Sequence, residues 1–306
     1  METEALAGRL EAARSGAAVG PALARGLLRL TGKKRLDYLH RMSTQKVGGL
    51  PPGAAVHLAF LEVKGHVVAD AVLAVRSDDL LLDVDPRAAE SLRAHLLRYV
   101  VMDDVKVEDV SARWRIVPVL GAAGTALARE RAPRDAVWDD PLRGAPAVDV
   151  LVVAEEAASF REAMVTAGAV PLGSEDLEVL RVLAGVPVFG AELDHTRLPM
   201  EAGIVRTAVS FDKGCYLGQE VVLRGTFRGQ VQRGLVKLAL PSGTGPGARL
   251  AAGDQEVGTV TSAVVTPQGR VGLGYLRRAN WKQGERLATP GGEAVVLEVL
   301  VQERDR

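Results

Sequence analysis

The chain has very little cysteine, few aromatic residues and no excess of charge of either sign. It contains one cysteine in 306 residues, 4% of its residues are aromatic, and 38 basic side chains balance 38 acidic ones. A single cysteine excludes an internal disulfide and is typical of a reducing compartment. A neutral chain has no overall field that would gather nucleic acid, so we expect no direct nucleic-acid partner.

Long apolar runs are also absent from the sequence. The longest apolar stretches are interrupted by charged residues well before the roughly 20 residues that a membrane-spanning helix requires, so we expect no membrane association. The first residues, METEALAGRLEAARSG, carry early glutamates and do not resemble a secretory signal. We therefore predict a cytoplasmic protein.

Several motifs of common enzyme classes are missing. The chain has no GxSxG, GxxxxGK[ST], HExxH or CxxC sequence, which disfavours the corresponding hydrolases, phosphate-binding loops and zinc sites. Its five histidines, at positions 40, 57, 66, 95 and 195, are scattered without the spacing of metal ligands. We therefore expect no tightly bound metal.

The remaining composition is that of a globular protein with more than one folding unit. Hydrophobic residues make up 47% of the chain and charged residues 25%, and the length exceeds what one core usually serves. Two β-rich runs around Lys64 and Gly65 predict an antiparallel meander, and an apolar stripe after Pro86 predicts a helix. Runs of predicted strands that are interrupted by predicted helices favour an α+β class.

The domain organisation follows from a change in composition along the chain. We predict a first region, 1–230, of two α+β lobes with a break near the Pro/Gly/Asp-rich stretch 131–146. After this region, short strand-like segments alternate with the turns PSGTGPG, TPQG and TPGG. This pattern predicts a small antiparallel β-barrel over 231–306.

The candidate chemistry concentrates in the segment FDKGCYLGQE, residues 211–220. It places the one thiol, Cys215, beside Lys213 and between Gly214 and Gly218. Glycines let a ligand approach the backbone closely, and the following QEVVLR is predicted to begin a helix whose free N–H groups favour an anion. A lone cysteine is most often an inert buried side chain. The lysine and glycines around Cys215 nevertheless make this thiol a candidate nucleophile.

This segment resembles the signature of the folate-binding YgfZ family, which is related to the glycine-cleavage T-protein (GcvT) and linked to iron–sulfur cluster assembly. The match is KGCYxGQE followed by LRGTFRGQVQRGL. The resemblance extends over most of the chain, through GKKRLDYLHRMSTQKVGGLPPG, RVLAGVPVFG, LPMEAGI and EVGTVTSAVVTPQGRVGLGYLRR. It implies an α+β, multi-subdomain ring around a channel that accepts tetrahydrofolate, with the barrel at the C-terminal end.

The resemblance also implies the site residues. Cys215 and Lys213 are implied to be catalytic, with Gly214 and Gly218 as backbone elements of the motif. The residues implied to bind folate or another ligand are Asp70, Arg181, Glu201, Tyr216, Gln219, Glu220, Arg224 and Arg228. Among these, arginines suit the carboxylates of the folate glutamate tail, a role we also expect for Arg233.

Two positions depart from the aminomethyltransferase pattern. Those enzymes carry paired aspartates after the hairpin glycine, the first being catalytic, where this chain has Ala69 and Asp70. Their R-x-E-[AS]-G pattern, whose glutamate contacts the pterin, here has Leu183 in place of the glutamate. Both losses count against glycine-cleavage activity, although a one-residue shift in the hairpin alignment would return Asp70 to the catalytic position.

Three functional hypotheses follow. The first is a tetrahydrofolate-binding accessory protein for iron–sulfur cluster assembly or repair, with Cys215 as the key residue and assembly or client proteins as partners. One cysteine cannot hold a four-thiolate cluster, so any cluster would be shared with a partner. The second is a folate-dependent aminomethyl or other one-carbon transferase, which leaves enzymatic activity open. The third is an indirect role in tRNA modification, through modifying enzymes that need clusters.

Overall fold

The computed structural model of the protein describes residues 2–228 and 231–301. The helices in these residues are α1 (Glu2–Arg14), α2 (Arg35–Met42), α3 (Pro86–Tyr99), α4 (Ala122–Arg131), α5 (Ala157–Thr166), α6 (Ser174–Ala184), α7 (Val205–Ala208) and α8 (Gln219–Leu223). A π-helical turn, Arg224–Arg228, continues α8. None of these helices is both long and apolar enough to cross a membrane.

The strands form two five-stranded sheets and one closed barrel. They are β1 (Ala18–Val19), β2 (Gly26–Thr31), β3 (Ala55–Leu61), β4 (Val67–Val75), β5 (Leu80–Val84), β6 (Lys106–Asp109), β7 (Trp114–Leu120), β8 (Val137–Asp139), β9 (Ala147–Val153), β10 (Val170–Pro171), β11 (Arg233–Leu240), β12 (Arg249–Ala252), β13 (Gln255–Thr266), β14 (Gly269–Arg277), β15 (Arg286–Thr289) and β16 (Gly292–Val299).

The first sheet has the order β3-β4-β5-β2-β6 and contains the predicted meander. Along β4, Ala69, Ala71 and Leu73 join the core cluster beneath α2 and α3. Val72 belongs to a different cluster, between the two sheets. Because neighbouring residues of a strand point to opposite faces, each sheet face has its own partner. The predicted helix α3 begins at Pro86, as expected from a first-turn proline.

The second sheet has the order β10-β1-β7-β9-β8, with β1 parallel to β10 and antiparallel to β7. The stretch 131–146, predicted as a loop between two lobes, contains β8, which pairs with β9 in this sheet. The chain passes from the first sheet to the second between Asp109 and Trp114, and the lobe break near 131–146 stays a prediction. This strand escaped prediction because its three residues, Val137–Asp139, are too few to show an alternating pattern within a Pro/Gly/Asp-rich stretch.

The barrel closes in the order β11-β14-β13-β12-β15-β16 and confirms the predicted C-terminal antiparallel β-structure. Its interior is filled by aliphatic residues and Trp281. On its outer face Leu235 and Tyr275, which are directly opposite in register, pack in the cluster that includes α6. The barrel is therefore fixed to the α+β part through a buried apolar face. The predicted limit between 230 and 231 falls beside residues outside the described ranges and stays a prediction.

Candidate functional site

Two adjoining cavities lie where the two sheets and the end of the barrel meet. One, of about 410 Å³, is lined by His57, Thr207 and Leu300 among others. The other, of about 90 Å³, is lined by Asp70 and Phe189 together with a charged cluster. Leu142, Val186 and Pro187 line both. We treat them together as the central cavity.

Asp70 lies at the wall of the central cavity in a chain of hydrogen-bonded side chains. Its Oδ2 is 3.0 Å from Nε2 of His57, and Nδ1 of the same imidazole is 2.9 Å from Oγ1 of Thr207. The carboxylate and the imidazole are buried, whereas Thr207 is exposed at the rim. A carboxylate that fixes an imidazole, which in turn contacts a hydroxyl, is an arrangement suited to holding or moving a proton.

Strand parity decides which of the two hairpin positions serves the cavity. Ala69 is fully buried in the core beneath α2 and α3, and the next residue, Asp70, points to the opposite face, where the central cavity lies. Position 70, and not position 69, therefore places a carboxylate at the cavity. This geometry matches the alternative in which the hairpin alignment shifts by one residue.

A buried charged cluster forms the floor of the central cavity. Arg25 Nε donates to Asp83 Oδ1 at 2.6 Å, and Arg143 Nε lies 3.0 Å from Asp149 and 2.9 Å from Asp140. Three carboxyl groups thus face two guanidinium groups in the interior. Burial raises the pKa of Asp149 well above its ordinary value and also raises the pKa of Asp83, so the cluster favours an added proton, which would balance its charges.

Arg181, a predicted folate ligand, uses all its donors within the protein. Its guanidinium donates five hydrogen bonds: two to Glu178, one to Val186 O at 2.7 Å, one to Glu192 at 3.0 Å and one to Ser262 Oγ at 2.8 Å. A guanidinium has five N–H groups. The side chain lines the central cavity, but a contact with folate would require it to break one of these bonds. The geometry favours a structural role.

Glu192, a partner of Arg181, connects the loop after α6 to the barrel. It is fully buried and accepts hydrogen bonds from the barrel hydroxyls of Thr261, at 2.7 Å, and Ser262, at 2.6 Å. It also accepts from Arg181 and from the backbone N–H of Val188. The loop after α6 and strand β13 are therefore held together at one carboxylate.

The motif loop carries Cys215 on the surface. The thiol is exposed, and Cys215 does not line the central cavity in the described part of the chain. Lys213 turns away from solvent, and its Nζ donates to the carbonyl oxygens of His40, Ser43 and Gln45 at 2.5 to 3.0 Å. Burial lowers the pKa of Lys213 to about 8. The lysine thus anchors the loop that presents the thiol.

Gly218 is required by the packing of the motif against the β3–β4 hairpin. Its φ is +79°, and a Cβ there would come within 2.6 Å of the carbonyl oxygen of Glu62. Gly65, at the hairpin turn, has φ +80° and lies against Val221 of α8. Gly214, by contrast, has open space around it. Of the two motif glycines, Gly218 is therefore required by close packing, whereas Gly214 is not.

Tyr216 is the buried residue of the motif. Its ring packs in the core beneath α2, with Lys213 Nζ 5.1 Å from the ring centroid. Its hydroxyl is buried and has no hydrogen-bond partner among the described residues. Burial raises the pKa of Tyr216 to about 12.

The other predicted ligands whose side chains the structure describes do not line the central cavity. Glu220 and Arg224 are exposed and pair with each other at 3.0 Å along α8, and Gln219 begins that helix. Glu201 accepts from the backbone N–H of Leu198 at 3.3 Å and so closes its own turn. The side chain of Arg228 lies outside the described part of the chain.

Sequence reasoning missed His57, Thr207, Glu192 and the Asp83–Asp140–Asp149 cluster. Alternation along β3 places His57 on a sheet face, but nothing local shows that this face meets Asp70. Glu192 lies in an irregular loop, and its acceptor role depends on barrel hydroxyls 69 and 70 residues away. These residues become visible as a site only through tertiary contacts.

The known proteins that resemble this chain include iron–sulfur cluster assembly factors and aminomethyltransferases. The human mitochondrial protein "Iron-sulfur cluster assembly factor IBA57" is 30% identical over 302 residues, which cover 90% of this chain and 82% of that protein. An aminomethyltransferase of Rubrobacter xylanophilus is 29% identical over 290 residues, covering 87% of this chain and 74% of the enzyme. No family model matches the chain.

Other relatives set the limits of these comparisons. A chloroplastic protein of Arabidopsis thaliana named as a transferase is 26% identical over 276 residues, which are 83% of this chain, and the chain spans 63% of its length. The solved aminomethyltransferase T of the glycine cleavage system from Bartonella henselae superposes with a TM-score of 0.84 at 18% identity. That superposition covers 96% of this chain and 88% of the enzyme, and it shows a common fold.

Proposed function

Because the chain belongs to the GcvT-like YgfZ family, which includes IBA57, we propose that it is a tetrahydrofolate-binding accessory protein for iron–sulfur cluster assembly or repair. The observation that carries this proposal is Cys215, an exposed thiol on a loop that Lys213 anchors to three carbonyl oxygens. The relative named as a cluster assembly factor supports it.

Cys215 would act together with a partner protein. The chain has one cysteine, whereas iron–sulfur clusters are usually held by four thiolates, so assembly or client proteins must supply the other ligands. Phe211 and Phe227 lie beside the motif with ring centroids 4.8 Å apart, and both are more than two-fifths exposed. Exposed aromatic rings of this kind are typical of protein contact surfaces. They support docking of the partner next to the thiol.

The central cavity is the proposed folate site. Its larger part, about 410 Å³, falls in the range of small-molecule sites. Asp83 lines the smaller part, and its buried Oδ2 lies 3.8 Å from Nη2 of Arg143 without accepting a hydrogen bond from the described residues. A carboxylate with spare acceptor capacity at the wall fits a ligand with N–H donors, such as a pterin ring. Asp70, with His57 behind it, would be the second polar contact.

The folate proposal is tested by calorimetric titration of the protein with tetrahydrofolate without oxygen. We expect saturable micromolar binding that weakens at least tenfold in Asp70→Asn and stays unchanged in Cys215→Ala. Asp78→Asn, at an exposed position after the same strand, is the matched control. An absence of saturable binding by the wild-type protein would remove folate from the function.

The thiol proposal is tested in cells that lack this protein. Cys215→Ala is expected to accumulate to wild-type levels, because the side chain is exposed, but to fail to restore the activity of iron–sulfur enzymes. Full restoration by this variant would exclude a role for the thiol. Binding of tetrahydrofolate by the same variant separates this outcome from a failure of the folate site.

The second candidate function is a folate-dependent aminomethyl or other one-carbon transferase. It is favoured by Asp70, which the fold places at the central cavity in contact with His57, and by relatives named aminomethyltransferase. Formation of methylene-tetrahydrofolate from an aminomethylated lipoyl carrier, lost in Asp70→Asn, would establish this activity. If the protein binds folate but forms no product, the accessory role remains as the proposed function.

Two further predictions from the sequence belong to this proposal. An indirect role in tRNA modification would follow from loss of cluster supply to modifying enzymes, so those modifications should fall together with other iron–sulfur activities in a deletion strain. A cytoplasmic location remains our prediction, although relatives are named mitochondrial or chloroplastic. Fractionation of cells that produce the native protein checks it.

A further inference from the structure

A second large cavity, separate from the central cavity, lies between the outer face of the barrel and the loop before Met200. Its volume is about 900 Å³, and its lining includes four arginines, Arg197, Arg233, Arg277 and Arg278. We call it the arginine crevice. None of the described residues lines both this crevice and the central cavity.

Two of these arginines face each other across a strand pair. Arg233 of β11 and Arg277 of β14 are direct partners in the antiparallel register, and both are exposed. They share the barrel face with the next pair, Leu235 and Tyr275. Like charges directly opposite each other destabilise a sheet. Neither side chain has a hydrogen bond or ion pair with the described residues, so none of these residues offsets the repulsion.

A third arginine closes the crevice from the other side. The guanidinium of Arg197 lies 4.0 Å from the ring centroid of Tyr275. That ring is fixed, because it is buried and its hydroxyl donates to the carbonyl oxygen of Glu192 at 2.7 Å. The stacked guanidinium keeps its N–H edge free for a ligand, since it forms no hydrogen bond with the described residues.

Glu256, the acidic side chain among the described lining residues, does not neutralise Arg197, Arg233 or Arg277. Glu256 lines the crevice but pairs with Arg249 at 3.3 Å. Positive charge in a concave site attracts anions, and guanidinium groups bind carboxylates and phosphates in bidentate geometry. The volume is in the range of sites for small molecules.

We propose that the arginine crevice binds a small polyanion with at least two oxyanion groups. One group bridges Arg233 and Arg277 and relieves their repulsion, and another contacts Arg197. Carboxylates and phosphates share this chemistry. Arg233, which we expected from the sequence to contact the folate glutamate tail, lines this crevice and not the central cavity among the described residues. The proposal therefore rests neither on the central cavity nor on Cys215.

The test is a calorimetric titration of the full chain, without folate, at low salt. The probes are triglutamate as a chain of carboxylates, tripolyphosphate as a chain of phosphates, and acetate as a single charge. We expect saturable binding of at least one polyanion and none of acetate, with affinity falling as salt is raised. Binding of triglutamate alone assigns carboxylates, binding of tripolyphosphate alone assigns phosphates, and binding of both supports the shared chemistry.

Substitutions locate the binding. Arg233→Gln and Arg277→Gln should each weaken polyanion binding at least tenfold, whereas Arg286→Gln, an exposed barrel arginine paired with Glu293, should leave it unchanged. The thermal midpoint of ligand-free Arg277→Gln should equal or exceed that of the wild type, because the substitution removes repulsion. If neither triglutamate nor tripolyphosphate binds, or if all three substitutions weaken binding equally, the proposal is overturned.

Discussion

At the scale of single residues, Lys213 positions the loop that carries Cys215 through contacts with the backbone. The ammonium of Lys213 fills the space beyond the end of α2 and satisfies three carbonyl oxygens. Carbonyl groups at a helix end otherwise need water or another donor. The lysine therefore fixes the path of the chain just before Cys215.

Replacing this lysine tests the anchoring role. Lys213→Met should lower the free energy of unfolding by about 2 kcal/mol, because buried carbonyl groups lose a charged donor. Lys46→Met, at an exposed lysine paired with Asp212, should cost less than about 1 kcal/mol. Urea unfolding monitored by circular dichroism measures both, and equal losses in the two variants would refute the anchor.

The same residue shows what could be read from the sequence. The segment around Cys215 stands out in the sequence, because the one thiol lies among a lysine and two glycines. The acceptors of Lys213 precede it by 168 to 173 residues, so its actual contacts were beyond local patterns. Arg181 was predicted as a ligand for a similar reason: a guanidinium in the sequence gives no sign that five acceptors already surround it.

At the scale of elements, the motif and the β3–β4 hairpin behave as one packed unit. Gly218 and Gly65 both have positive φ, and a Cβ on Gly218 would lie 3.1 Å from the Cα of Gly65. This contact joins the helix that follows Cys215 to the strand that carries Asp70.

The two motif glycines allow a matched comparison. Gly218→Ala should lower the free energy of unfolding by about 1–3 kcal/mol, because the added methyl meets backbone and the residue must keep a positive φ. Gly214→Ala, where a Cβ meets nothing within 4 Å, should cost less than about 1 kcal/mol. Chemical denaturation checks both, and an equally small effect at Gly218 would argue against this packing.

Elements differed in how well the sequence predicted them. The long runs of β3, β4 and β5 alternate or stay apolar over several residues, and the stripe of α3 repeats over three turns, so local patterns were sufficient. The parallel pair β1 and β10 has two residues a strand and joins positions about 150 residues apart. Neither strand has a pattern of its own, because the pairing is imposed by the helices packed around it.

At the scale of the whole molecule, one buried carboxylate joins the α+β part to the barrel. Glu192→Gln should lower the free energy of unfolding by about 3 kcal/mol, since it leaves the buried Arg181 with one ionic partner fewer and mismatches two barrel hydroxyls. Glu178→Gln, on the half-exposed side of the same arginine, should cost less than about 1 kcal/mol. Calorimetric unfolding of both variants distinguishes the joint from an ordinary surface ion pair.

The charged floor of the central cavity makes the stability of the whole molecule depend on pH. The folded-state pKa of Asp149 is raised by burial, so the cluster binds a proton that the unfolded chain releases above about pH 4. Its contribution is therefore fully present below that pH and is lost as the pH rises toward the raised pKa.

Asp149→Asn cannot titrate at this position. The difference in unfolding free energy, wild type minus variant, should fall from pH 4.5 to pH 8 in urea titrations. Asp139→Asn, an exposed carboxylate on β8, should show a difference that does not fall over this range. A constant difference for Asp149→Asn would mean that the cluster holds no extra proton, and the charge balance proposed for the central cavity would have to be met by a ligand.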